Sequence, residues 1–183
     1  MVYIVLGDGF EEMESVIPFD ILKRGGVEVQ YVAAGSSLTV EGSHGIKILA
    51  DCLAADVTGG RADTFFVPGG LGGVKSIKAS EIAMQMLAKA HENGCTLAAI
   101  CAGPSVLAEL GLLEGRHITC YPGCENMMGG AICHLDRPVV MDGGLITGRS
   151  AGSTFDFALT LLSLIKSETA AQRVADDIVF RRG

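Results

Sequence analysis

"LAAICAGPSVLAELGLL", Leu97 to Leu113, is the stretch whose reading decides the fold. With Thr96 it opens on "TLAAI", an apolar run of strand length. Pro104 suits the first turn of a helix, and "PSVLAELGLL" carries apolar residues at helical spacing. Cys101, Ala102 and Gly103 must therefore turn the chain from strand to helix. A thiol on that corner is either a small packing residue or a nucleophile displayed on a sharp turn.

Working outward, the same alternation recurs. "VYIVL" (Val2–Leu6) reads as a buried strand, and "EEMESVIPFDILKRGG" as a helix. Met13, Val16, Ile17, Ile21 and Leu22 form its expected apolar face. Acids open it, Lys23 and Arg24 close it, and Gly25-Gly26 stops it. Pro18 predicts a kink. "VEVQYVAA", "GIKILAD" and "TFFVPGG" are further strands, and "SEIAMQMLAKAHENG" is a helix capped by Ser80 and ended by Gly94. "HITCY", "PVVMD" and "LITG" are short strands, with "STFDFALTLLSLIKS" and "ETAAQRVADDIVF" as closing helices. Strand-helix alternation implies an α/β fold, a mostly parallel sheet covered on both faces. Neither repeat nor linker interrupts it, so residues 1–183 are expected to form a single domain.

The net charge of -7, from 14 basic and 21 acidic side chains, argues against nucleic acid and anionic membrane surfaces as partners. Apolar runs stay shorter than a membrane span. "MVYIVLGDGFEEME" lacks the basic leader of a signal peptide, which points to a cytoplasmic protein. Its six cysteines are then expected to be mostly thiols.

Three candidate sites follow strands. Cys101 lies beyond a strand's carboxyl end, where functional groups gather in parallel sheets. A helix start behind it lowers a thiol pKa, and backbone N–H groups can hold an oxyanion. The motif resembles a nucleophile elbow with Ala99 in place of the first glycine. Glu11, Glu12 and Glu14 form the second group. Glu11 and Glu14 share a helix side, while Glu12 points elsewhere. Glu14, at the edge of the apolar face, is the one placed to stay protonated and donate to a thiolate. The alternative is three solvated first-turn acids. "VPGGLGG" (Val67–Gly73) is the third, either a plain glycine loop or the other half of an oxyanion site. Lys75 stands where a dinucleotide fingerprint needs its last glycine. His117, Cys120, Cys124, Cys133 and His134 lie close in sequence without a zinc-site spacing, so no metal is expected.

Together these segments resemble the DJ-one/ThiJ/PfpI family. The resemblance rests on "GFEEMESVIPFDILKRGG", "FFVPGG", "AAICAGPSVLAELG", "GRSAGSTFDFAL" and "AAQRVADDIVF", in that order along nearly the whole chain. It implies a flavodoxin-like three-layer sandwich, similar to class I glutamine amidotransferases, in a homodimer. It also implies Cys101 as the reactive thiol with Glu14 as its carboxylic partner, and an oxyanion pocket at Gly69, Gly70 and Ala102. The activity implied is cofactor-free, glutathione-independent chemistry on small reactive dicarbonyls, of glyoxalase or deglycase kind. Alternatives are an oxidative-stress sensor, a redox-regulated chaperone, or the thiazole monophosphate role by which some relatives are labelled. Ala102 stands where protease-like members carry histidine, which argues against a Cys-His protease. Tyr121 stands where many relatives carry another histidine, so Tyr121 and Glu11 are accessory candidates. The thiol is expected to sit below the roughly 8.5 of free cysteine. It should rise modestly in Glu14→Leu and less in Glu14→Gln.

Overall fold

The computed structural model describes residues 1–181. The chain opens with β1 (Val2–Leu6), α1 (Glu12–Arg24) and β2 (Val29–Ala33). A hairpin, β3 (Thr39–Glu41) and β4 (Lys47–Leu49), precedes the short β5 (Cys52–Leu53). Then come β6 (Thr64–Val67), α2 (Leu71–Lys78), α3 (Glu81–Glu92), β7 (Thr96–Ile100) and α4 (Pro104–Glu109). The last third holds β8 (His117–Ile118), β9 (Ile132–Cys133), β10 (Val139–Asp142), β11 (Leu145–Gly148), α5 (Thr154–Ile165) and α6 (Glu168–Asp177).

Seven strands make the central sheet, in the order β10-β11-β7-β6-β1-β2-β5. Every pairing in it is parallel except β10 with β11, at one edge. Because side chains alternate along a strand, each buried strand feeds two cores. Ile4, Leu6, Phe66 and Ile100 pack on one face with Ile21, Leu22, Phe157 and Leu161. Val5, Phe65, Val67 and Leu97 pack on the other with Ile77, Leu87 and Leu107. Helices thus cover both faces, as the alternation implied. Burying each such side chain contributes about 1.5–3 kcal/mol.

The ends of α1 and α3 fall where the sequence signals put them. Gly25 caps α1 and Gly26 turns the chain at φ 72°. The Ser80 side chain accepts the Ala83 N–H at 3.3 Å. Several expectations need correction. Helix α1 runs unbroken through Pro18 and buries Glu12, Glu14, Ser15, Pro18, Ile21 and Leu22. Met13 and Val16, expected on its inner face, are 48% and 43% exposed. "GIKILAD" joins a separate antiparallel hairpin, not the sheet. "PSVLAELGLL" is helical only over Pro104–Glu109, and "HITCY" only extended at His117–Ile118, paired with β9. "VPGGLGG" is no plain loop, since α2 begins at Leu71 within it.

Candidate active site

β1 leads to β2 on one side, while β6 lies on the other side of β1. The strand order reverses there, and a crevice opens beyond the carboxyl ends. Three connections reach it: the one after β1 leads into the first turn of α1 and Glu14, the one after β6 brings Gly69 and Gly70, and the one after β7 brings Cys101.

Cys101 has φ 63°, a left-handed conformation costly for a residue with a Cβ. Neighbours hold it there. Its N–H donates to the Gly148 carbonyl at 2.9 Å, and its carbonyl accepts the Tyr121 N–H at 3.0 Å. The turn needs a glycine next but one, because a Cβ on Gly103 would run into the Val67 and Ile100 carbonyls. The sulfur is half-buried and meets the N–H groups of Ala102 and Gly70. Gly70 itself has φ 86°.

Glu14 is fully buried. Its Oε2 accepts the Gly69 N–H at 2.8 Å. Oε1 has no hydrogen-bond partner of good geometry among the described residues. The Cys101 thiol and the Ala151 N–H lie close enough to favour the charged carboxyl, but burial outweighs them and pushes Glu14 up to about 7. Burial raises the Cys101 thiol too, followed by the charge of an ionised Glu14, against the pull of the Ala102 and Gly70 N–H groups. The expected depression of the thiol therefore does not hold: burial raises it first, and an ionised Glu14 raises it further. A thiolate here requires the carboxyl to hold the proton, so the two titrate as one pair.

Gly69 fits between the two groups. A Cβ there would lie 2.5 Å from Glu14 Oε2 and 2.7 Å from Cys101 Cβ. Its N–H, expected among the oxyanion donors, is committed to Glu14, which leaves Gly70 and Ala102. Glu11 is a helix cap: its Oε2 accepts the Glu14 N–H at 2.8 Å, and its own N–H donates to Gly69 O at 3.0 Å. Tyr121 meets Cys101 through its backbone, while its side chain is exposed.

Glu12, read from sequence as pointing elsewhere, anchors a clamp that the sequence did not reveal. It is 6% exposed and accepts the His44 N–H at 2.6 Å and the Ser43 hydroxyl at 3.1 Å, with His44 Nδ1 at 2.8 Å. Burial alone would raise it; these bonds reverse the sign and hold it at about 2. Glu11, Glu12 and His44 converge closely enough to hold a cation, but Glu12 already serves this loop. In the cysteine-histidine segment, His117 Nδ1 lies 2.7 Å from His134 Nε2. All six cysteines are free thiols.

An α/β sandwich that sets a cysteine on a strained strand-helix corner, against a buried glutamate at the switch point, is a flavodoxin-like fold. The chain belongs to the DJ-1/PfpI family, whose profile matches residues 1–164. It is 33% identical to the protein dj-1beta of Drosophila melanogaster, over 96% of this chain and 95% of that one. It is 31% identical to a deglycase of Pyrococcus abyssi, over 90% and 99%. The crystal structure of a DJ-1 superfamily protein from Salmonella typhimurium, a cysteine-to-alanine mutant, superposes with a TM-score of 0.90 at 30% identity, covering 99% and 98%. Against the longer DJ-1 homolog B of Arabidopsis thaliana, 33% identical over 98% of this chain, it spans 41% of that protein's length. No helix among the described residues is long and apolar enough to cross a membrane.

Proposed function

We propose that the protein is a cysteine-dependent enzyme acting on small reactive dicarbonyls, of deglycase or glyoxalase kind, without glutathione. The observation that carries this reading is the Cys101–Glu14 pair: a strained, half-buried thiol facing a buried carboxyl poised near neutrality. Similarity to the Pyrococcus deglycase supports the class.

The thiol proton passes to Glu14 as sulfur adds to the aldehyde carbon. The carbonyl electron pair moves onto oxygen, where the Gly70 and Ala102 N–H groups receive it. Glu14 protonates that oxygen and, now a carboxylate, takes the proton from the former aldehyde carbon. It returns that proton to the neighbouring carbon while the hydroxyl proton of the former aldehyde oxygen passes to the ketone oxygen, giving the thioester of a 2-hydroxy acid. Water hydrolyses the thioester and regenerates the thiol. A carboxyl near 7 suits both directions of transfer at neutral pH. Metal-free protein without glutathione should turn methylglyoxal into lactate, and Cys101→Ser should abolish this; turnover surviving in that variant refutes the reading.

A second reading, an oxidation sensor, draws on the same donors. The N–H groups of Gly70 and Ala102 would equally hold the oxygens of an oxidised Cys101. Selective oxidation of Cys101 by mild peroxide with negligible dicarbonyl turnover would favour it. The exposed Met13 and Val16 on α1 support a symmetric homodimer through that helix in a cytoplasmic, single-domain protein. Sedimentation should show a dimer that Val16→Asp dissociates; a wild-type monomer at micromolar concentration would exclude it.

A further inference from the structure

Three other cysteines sit in one segment, Cys120, Cys124 and Cys133. β8 and β9 pair in parallel with Ile118 opposite Cys133. Cys120 lies two residues beyond Ile118, just past the end of β8. Ile118 and Cys120 are fully buried there, and Cys133 packs against the same core while remaining partly open to solvent. The Cys133 thiol lies close enough to Cys120 to push its titration up. Cys124 is buried nearby and acts on Cys120 less strongly than Cys133 does.

We infer that Cys120 and Cys133 form a dithiol that hydroperoxides convert to an internal disulfide, a redox site separate from Cys101. The solvent-reached Cys133 begins. Its thiolate attacks a peroxide oxygen, the O–O bond breaks, and the hydroperoxide leaves as an alcohol, or as water from hydrogen peroxide itself. Cys133 becomes a sulfenic acid, oxidised by two electrons. The Cys120 sulfur then attacks the Cys133 sulfur, the S–O bond breaks, and the departing hydroxide takes the Cys120 proton as water. Two thiols and one hydroperoxide give one disulfide, one water and one alcohol.

The order of attack follows from exposure and charge. In the reduced pair, burial and then the Cys133 charge push Cys120 up to about 12, so Cys120 is a poor first nucleophile. A sulfenic acid is neutral, so oxidation of Cys133 removes the second of those causes. The sulfurs then need to close to the roughly 2.05 Å of a disulfide. The bond would tie down the segment whose next residue, Tyr121, donates its N–H to the Cys101 carbonyl. Oxidation at this site thereby bears on the backbone that strains Cys101.

The test is peptide mapping of the full chain after hydrogen peroxide at equimolar dose, with free thiols then blocked by alkylation. Trypsin leaves all three cysteines in one fragment, whereas a glutamate-specific protease cuts after Glu125, between Cys124 and Cys133. The expected result is a cross-link joining the Cys120 and Cys133 peptides that disappears on reduction. It should persist in Cys124→Ser and Cys101→Ser and be lost in Cys133→Ser. Full alkylation of Cys120 and Cys133 after peroxide, or a cross-link that depends on Cys124, overturns the inference. Because the cross-link is also read in Cys101→Ser, failure of the dicarbonyl reading leaves this result untouched.

Discussion

Glu12 and Glu14 stand two positions apart in the first turn of one helix, and both are buried, yet their titrations move in opposite directions. Glu12 meets three donor groups from Ser43 and His44 and is held ionised at about 2. Glu14 accepts one well-placed N–H, from Gly69, with the Cys101 thiol and the Ala151 N–H close by, and burial pushes it up to about 7. Burial by itself does not set the charge of a carboxyl; the count of donors that accompany it does. Satisfied, the group fastens a loop. Left short of partners, it keeps a proton up to about pH 7.

The largest expected effect separates the two roles. Glu14→Gln should cut dicarbonyl turnover by about 10²–10⁴-fold, the usual worth of a positioned acid-base group. Glu12→Gln should leave kcat within a few fold, since Glu12 faces the loop. Comparable losses of kcat in steady-state assays of both would erase the contrast. Gly69→Ala comes next. Its methyl has no room between Glu14 and Cys101, so stability should fall by about 1–3 kcal/mol, with turnover lost as the pair is pried apart. Denaturant unfolding with wild-type midpoint and activity would show that the pair is looser than its geometry.

Stability against pH sharpens the comparison further. Glu12 releases its proton more readily folded than unfolded, so its stabilisation is present above the usual 4.5 and disappears as pH falls toward 2. Glu12→Gln should cost about 1–3 kcal/mol at pH 7, less at pH 3. For Glu14 the sign is opposite. Between 4.5 and about 7 the folded chain keeps a proton that the unfolded chain gives up, so stability falls as pH rises through that window. Glu14→Gln should therefore match or exceed wild type in urea unfolding at pH 8. The smallest effect is on the thiol. Wild type should titrate in two coupled steps and each Glu14 variant in one, with the Cys101 pKa lower in Glu14→Gln, which keeps a donor, than in Glu14→Leu. Thiolate absorbance against pH reads the order.

Residues that act locally were legible in the sequence. A strand running into Cys101-Ala102-Gly103-Pro104 can turn in few ways, and the corner stands where that pattern put it. Gly25-Gly26 and Ser80 likewise mark helix ends by their own chemistry. What stayed hidden depends on partners distant in sequence. Helix α2 was masked by Gly72 and Gly73, which look like loop residues. They are glycines because the helix packs onto the backbone after β1: a Cβ on Gly73 would lie 2.8 Å from Phe10 Cα. The inner face of α1 was misjudged because the site draws Glu14 inward, leaving Met13 and Val16 outside. Gly69 was assigned a donor role that Glu14 already occupies. Nothing in "EEME" tells which acid will meet His44, which is 32 positions away.

The left-handed backbone of Cys101 puts the fold and the chemistry under opposed selection. Glycine accepts φ 63° without steric penalty, so Cys101→Gly should keep the fold and gain up to about 1 kcal/mol, in the usual pattern of strained functional residues. Every property proposed for the thiol would vanish with it. A lineage released from any need for the thiol would meet no structural barrier to losing it, and drift could silence this position while the rest of the sandwich stayed intact.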